Sequence, residues 1–158
     1  MREAIGGTWL FGLVITFIVF FASFLAVSIN YAKAFNVKNN VVDLISKYEG
    51  NNCKARTKIG EYLKTDGYLV PGNCPSDDAY TYKGYDLSGN PVPEGKKAYY
   101  CVSKDSTDDT TVIEKQFYRV VVFFKFDLPM VGDLTTIRVK GETESIYFPK
   151  NEIDDVCS

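Results

Sequence analysis

Residues 9–29 read WLFGLVITFIVFFASFLAVSI, a run of 21 residues that contains no charge. Polar side chains interrupt it only at Thr16, Ser23 and Ser28, and fourteen positions are Leu, Ile, Val or Phe. As a helix the run is about 31 Å long at 1.5 Å per residue, which matches the hydrocarbon thickness of a bilayer. On the insertion scale those fourteen side chains contribute about −4 to −8 kcal/mol before corrections for depth. A soluble protein buries such a helix only by surrounding it, and the residues after Gly50 are too few to do so. The run therefore reads as a transmembrane helix over 9–29. A cleaved signal is the rival, because Ala32-Lys33-Ala34 has a small-x-small form and Arg2 supplies a positive start. Signal cores run about 7–15 residues, so this longer one reads as a retained anchor.

The rest of the chain has a different composition. No residue between Ala4 and Ala32 is charged, whereas the 158-residue chain as a whole carries 18 Lys+Arg and 20 Asp+Glu. A net charge of −2 with both signs interspersed offers no basic field for a phosphate backbone, so no nucleic-acid partner is expected. The chain has no His. That removes Ser-His-Asp and Cys-His nucleophile systems and His-ligated zinc hydrolases, and the expectation is a protein that is not an enzyme.

Past residue 30 the helical pattern continues but becomes amphipathic. Ala34, Val37, Val41, Leu44 and Tyr48 recur at three- and four-residue steps, with Lys33, Lys38, Asn39, Asn40, Asp43 and Lys47 mostly around the other side. One helix that leaves the bilayer near Asn30 and runs to residue 49 is the simplest account, its stripe covering an outer domain. A short coiled coil is the alternative. Gly50-Asn51-Asn52 ends the helix as a Gly cap would.

Residues 54–64 form a short helix with Ile59 and Leu63 on one face, and beyond Gly67 the period changes to two. Residues 80–83 and 98–102 read as a hairpin across the turn-rich stretch 86–91, and residues 104–111 as an acidic, mobile loop. Tyr118, Val120, Val122, Phe124 and Phe126 share an apolar face opposite Arg119 and Lys125, which places that strand inside the sheet. Residues 127–133 turn, and a last strand alternates Ile137, Val139, Thr143 and Tyr147 against Arg138, Lys140, Glu142 and Glu144. The expected fold class is α+β: a long N-terminal transmembrane helix continuing as an amphipathic helix packed on an antiparallel β-meander. The segments are 1–8, a short cytoplasmic start; 9–29, the span; 30–49, the extension; and 50–158, an extracytoplasmic β-rich domain.

Cys53, Cys74, Cys101 and Cys157 all follow the apolar run, and none forms a Cys-x-x-Cys pair. With no His and no ligand spacing, no metal is expected; the favoured reading is two disulfides, Cys53 with Cys74 and Cys101 with Cys157, among three possible connectivities. Oxidised thiols place the domain outside the cytoplasm. Charges flanking the span are nearly balanced, so the thiols carry the orientation: N-terminus cytoplasmic, C-terminal domain outside the cell membrane.

Within the span, Gly12 with Thr16 and Ala22 with Ala26 are small-x-x-x-small pairs that let another helix approach, including a second copy of this one. Trp9 and Tyr31 are the expected interface anchors. Asp77-Asp78, Asp105 with Asp108-Asp109, and Asp154-Asp155 lack EF-hand spacing and read as solvated loops. Tyr80, Tyr82, Tyr85, Tyr99 and Tyr100 cluster on the expected hairpin, as half-buried strand aromatics or as a surface that stacks on a sugar or partner. No Gly-rich phosphate loop and no nucleophile elbow occurs, and no cofactor is expected.

The order of these parts resembles the pilin-like TadE-like family of Flp-type pilus assembly proteins. The resemblance rests on Arg2-Glu3-Ala4-Ile5 at the helix entrance, the long apolar helix, Tyr31 at its exit and the amphipathic continuation through Ser46. Residues 117–126, Leu128-Pro129-Met130-Val131-Gly132 and residues 137–147 are similar to that family's closing strand, Pro/Gly loop and strand. It implies a minor pilin or a pilus or secretion-system assembly component, held by its helix and meeting other pilin-like subunits. Glu3 would be the acidic residue that neutralises a neighbouring chain's terminal amine in low dielectric. A stand-alone surface receptor or ligand-binding module on a membrane anchor is the alternative.

Overall fold

The computed structural model describes residues 2–65, 69–76, 80–108, 113–128 and 132–149. The apolar run and its amphipathic continuation form one helix, α1 (Arg2–Lys47), about 69 Å long at the standard rise. Its last part packs on the domain through Ala34, Val37, Val41 and Ile45, all fully buried. The heptad-like series 34, 37, 41, 44, 48 is corrected after Val41. Ile45 takes the central position, while Leu44 and Tyr48 are only partly buried. A straight helix has 3.6 residues per turn and drifts off a 3.5-residue repeat, so a 3-4-4 spacing holds the seam against a fixed sheet.

The end of α1 also differs from the expected cap. Gly50 N–H donates to Ile45 C=O at 2.9 Å and Glu49 N–H to Ser46 C=O at 3.1 Å, the paired bonds of a Schellman motif. The left-handed residue is Glu49, at φ 55°, one position before the glycine. Asn52 then caps α2 (Cys53–Thr65): its side-chain oxygen accepts from Ala55 N–H at 2.9 Å, and its carbonyl from Arg56 N–H at 3.0 Å. Ile59 and Leu63 are buried on one face of α2, as their spacing predicts, together with Ala55 and Gly60.

Among the described residues six strands follow: β1 (Lys83–Tyr85), β2 (Pro91–Val92), β3 (Tyr100–Asp108), β4 (Ile113–Leu128), β5 (Gly132–Glu142) and β6 (Ile146–Pro149). They form one open antiparallel sheet in the order β2-β1-β3-β4-β5, with β6 also paired to β4. The fold is thus α+β. β1 pairs with β3 at Gly84 and Cys101, broadly as the expected hairpin had it, but residues 91–92 add a short strand on the other side of β1. In the turn between β1 and β2, the Asp86 carboxylate accepts from the N–H groups of Ser88 and Asn90, both at 2.8 Å, and Gly89 adopts φ 80°.

The expected loop over 104–111 is corrected. β3 continues to Asp108, opposite Glu114, because Ser106 and Thr107 carry the ladder along a β4 that is sixteen residues long. Residues 109–112 and the Pro129-Met130-Val131 part of the second expected turn lie outside the described residues. The expected last strand is two. β5 and β6 lie on the same edge of β4, and the register moves by one residue between Arg119↔Glu142 and Gln116↔Ile146. At this bulge Thr143 is buried and bridges to Tyr118.

Both faces of β4 are covered. Tyr118, Val120, Val122 and Phe124 join Ala34, Val37, Val41, Ile45, Ile59, Leu63, Tyr85 and Tyr100 in the main core under the helices. The Phe126 side chain lies outside the described residues. The face expected to show Arg119 and Lys125 also carries Val121 and Phe123, both buried against Ala98, Cys101, Val70, Cys74, Tyr82 and Val92. Residues 69–74 supply part of that outer layer. Leu69 bridges Phe124 and Gly72 bridges Ala98, with Gly72 so close to the Phe123 ring that a Cβ would stand 2.6 Å from its Cγ.

The bridge at Gly72 decides the disulfide. It sets the segment beside Ala98 and β3, and Cys74 bonds Cys101 with 5.7 Å between their Cα atoms. The expected pairings of Cys53 with Cys74 and Cys101 with Cys157 are corrected accordingly. Cys53, the first residue of α2, is also disulfide-bonded. Cys157 lies outside the described residues.

Candidate functional site on the projecting helix

The first part of α1 projects from the domain. None of its most apolar stretch is buried, and Trp9, Leu10, Phe11, Phe17, Ile18, Phe20, Phe21, Phe24 and Leu25 are all exposed. A surface of that size and composition is stable only in lipid or against other apolar chains. The helix contains its own polar groups. Thr16, Ser23 and Ser28 hydroxyls each donate at 2.9 Å to the carbonyl four residues earlier, on Gly12, Val19 and Phe24. No hydroxyl is left to be desolvated without a partner, which suits hydrocarbon.

The arm is not uniform around its axis. Val19, Ser23, Ala26 and Asn30 are partly shielded by their neighbours, while the residues beside them are open. At 100° per residue these four share one side of the helix with Gly12 and Thr16, and the same line continues into Ala34, Val37 and Val41. The small-residue side of the arm is therefore the side that, further along, carries the domain. Apart from its own helix backbone and chain neighbours, Gly12 has no atom within 4 Å of where a Cβ would be, and with Thr16 it floors a groove walled by Trp9, Leu13, Phe17 and Phe20. Ala26 belongs to this side, whereas Ala22 sits at its margin and is exposed.

The expected anchors occupy the two ends of the arm. Trp9 is 75% exposed and Tyr31 60%, and 22 residues separate them, about 33 Å along a helix. Just beyond Tyr31, the Lys38 ammonium lies 4.0 Å from the centre of the half-exposed Phe35 ring. Glu3 falls in the first turn of α1, and its side chain lies outside the described residues.

The five tyrosines do not form one surface. Tyr85 and Tyr100 are buried in the main core, stacked with ring centres 5.3 Å apart, and Tyr99 is partly buried against it. Asn51 Nδ2 donates to the Tyr85 hydroxyl at 2.9 Å, and the Arg56 guanidinium lies 5.5 Å from the Tyr85 ring. The Tyr100 hydroxyl is buried without a hydrogen-bond partner among the described residues, and burial pushes its ionisation well above the usual tyrosine range. Tyr80 and Tyr82 lie on the opposite face of the sheet, around Arg119.

Sequence reasoning placed Arg119 only as an outward side chain. Its guanidinium sits 3.6 Å from the centre of the Tyr80 ring and 5.0 Å from that of Phe117, with Asp105 at 3.3 Å and Glu142 at 3.6 Å. A lone Arg in an alternating strand carries no signal of such a setting. Gly141 was a second missed position: it faces α1, and a Cβ there would stand 2.6 Å from Lys38 Cδ. Among the described residues no group of three or more His, Cys, Asp or Glu comes together as a metal site would need.

Comparison of the chain with protein-family models, with curated proteins and with solved structures finds no match.

Proposed function

We propose that the protein is a single-pass, membrane-anchored, pilin-like subunit of a bacterial envelope assembly, similar to the TadE-like minor pilins. In this reading α1 crosses the cell membrane with its N-terminus in the cytoplasm, and the sheet domain stands outside. The protein acts through contacts, with α1 packing on helices of other pilin-like or secretion-system subunits and the domain meeting their domains. The observation that carries the reading is the unbroken run of α1 from the exposed apolar arm into the domain core. A helix that is anchored at one end and locked to a sheet at the other transmits a subunit contact in the bilayer directly to the outer domain. The oxidised cysteines support the outward placement of the domain. Glu3, near the entrance of the helix, would meet a neighbouring chain's amine where a charge pair is worth far more than in water.

Photo-crosslinking in the membrane tests this. A benzophenone side chain at Ser23, on the small-residue side, is expected to capture a pilin-like or secretion-system subunit or a second copy, and one at Phe21, on the opposite side, to capture little. Equal capture from both positions, or lipid adducts alone, would contradict it.

A further inference from the structure

We infer that the exit of α1 from the bilayer holds a phospholipid headgroup of net negative charge, with the Lys38 ammonium on its phosphate and the Tyr31 and Phe35 rings beside its glycerol. This rests on the reading of α1 as a membrane span and adds to it the class of lipid that the span selects.

The site follows from levels along the helix. Trp9 and Tyr31 bracket the hydrocarbon, so Tyr31 marks its outer edge. Phe35 stands four residues further, about 6 Å at the standard rise. A headgroup layer is about 5–8 Å deep, half the difference between the full and the hydrocarbon thickness of a bilayer. The Phe35 ring, 44% exposed, therefore stands within that layer. Lys38 is almost one turn higher, but its ammonium lies 4.0 Å from the centre of the Phe35 ring and so is brought back to the same level.

The fold keeps the lysine there. Gly141 on β5 faces α1, and a Cβ on it would stand 2.6 Å from Lys38 Cδ and 3.0 Å from Cγ. A side chain at 141 would fill the lane in which the Lys38 stem runs. The glycine beside the stem and the ring under the ammonium fix a side chain that otherwise keeps much rotamer freedom. The ring face attracts the ammonium without neutralising it.

Charge selects the ligand. Lys33 and Lys38 are the only charged residues between Ala4 and Val42, and the first carboxylate on α1 after Glu3 is Asp43. Asp43 lies on the flank that faces α2, in a groove with Lys47 and Lys58. On β5, Lys140 and Glu142 flank Gly141 with opposite signs, and both line the other face of the sheet beside Arg119. Among the described residues no carboxylate pairs with Lys38. A zwitterionic headgroup would bring its own cation against the lysine, whereas an anionic one brings only the phosphate.

Vesicles of equal parts phosphatidylglycerol and phosphatidylcholine, carrying the full chain, test the inference. Flotation with the vesicles reports insertion, and native mass spectrometry after mild detergent extraction counts the lipids retained. One lysine at an anionic surface is worth about fivefold in lipid partition. The parent should retain phosphatidylglycerol over phosphatidylcholine by at least that factor, and Lys38→Gln should lose about fivefold of the preference while floating as the parent does. Lys38→Arg should keep it. Lys96→Gln, the same loss of charge on an exposed lysine of the domain, should leave it unchanged, and Gly141→Ala, which alters no charge, should weaken it. Unaltered circular dichroism shows that each variant stays folded. Equal retention of the two lipids by a parent that floats would overturn the inference and leave the span standing, as would an undiminished preference in Lys38→Gln. A parent that fails to float would overturn both.

Discussion

Thr143 and Tyr118 bind each other through two hydrogen bonds: Thr143 N–H donates to Tyr118 C=O at 2.9 Å, and the Thr143 hydroxyl oxygen accepts from Tyr118 N–H at 2.9 Å. A side-chain oxygen stands where a regular ladder would use a carbonyl. It keeps the backbone of β4 satisfied across the bulge between β5 and β6, at a point where Tyr118 and Thr143 are both buried. Thr143→Val keeps shape and removes the acceptor, so it should destabilise the domain by about 1–3 kcal/mol, the cost of a buried donor left unpaired. Thr143→Ser should recover most of that. Denaturant unfolding of the two variants, with faster hydrogen exchange at the Tyr118 amide in the Val variant, checks it.

Gly60 lies in α2 against the turn between β1 and β2. A Cβ there would collide with the Leu87 carbonyl oxygen and stand 3.0 Å from the carbonyl carbon. In an exposed helix Gly→Ala gains about 1 kcal/mol from propensity. Here the sign should reverse, because backbone cannot swing aside as a long side chain does, and Gly60→Ala should cost about 1–3 kcal/mol. A melting temperature at or above that of the parent would show that the turn is free to move away from α2.

The apolar stripe through Ala34, Val37 and Val41, the positions of Ile59 and Leu63 and the alternating face of β4 were legible because each repeats with the period of its element, whereas the step from Val41 to Ile45 was hidden by an equally regular 3-4 alternative at Leu44. Val121 and Phe123 were not read as core, since an apolar residue on a strand's second face is informative only once something covers it. The cover is residues 69–74, a segment with no periodicity at all. The same segment explains the disulfide, as spacing says nothing about which loop is laid over which strand. Of the site, the arm was legible from residues 9–29, whereas the Arg119 setting depends on Asp105 and Glu142, brought to it by pairing of β3, β4 and β5, and on Tyr80, from the segment before β1.

The Tyr100 hydroxyl gives the domain a pH dependence at the alkaline end. Burial is the chief reason that its ionisation is displaced upward, with Tyr85 adding to it and Arg56 opposing. The folded state holds the proton more tightly than the unfolded chain, so stability is full below about pH 10, the unfolded value, and falls as pH rises above it. Tyr100→Phe should abolish that fall. Because the hydroxyl has no partner among the described residues, the variant should be as stable as the parent near neutral pH, or slightly more. Unfolding curves at pH 7, 9 and 11 for both proteins decide the matter.

Cys74 and Cys101 hold the outer layer to β3 across a sequence separation of 27, and on the loop-entropy model the bond is worth about 3–4 kcal/mol. Peptide mapping without reduction should recover Cys74 joined to Cys101. The double variant Cys74→Ala, Cys101→Ala should lose stability by that order, with exchange protection lost first in residues 69–74. Recovery of Cys53 joined to Cys74 would contradict the fold of that layer.

The claim on which the functional account rests is that the exposed arm of α1 lies across a membrane with the sheet domain on the outer side. Intact bacterial cells expressing the full chain, with a unique cysteine introduced at exposed Lys96 in a background where Cys53, Cys74, Cys101 and Cys157 are alanine, provide the direct measurement. The account predicts that the protein stays with the membrane after alkaline carbonate extraction, and that a membrane-impermeant maleimide, small enough to enter the periplasm, labels Lys96→Cys without lysis. Release into the soluble fraction by carbonate, or labelling only after the inner membrane is broken, would contradict it.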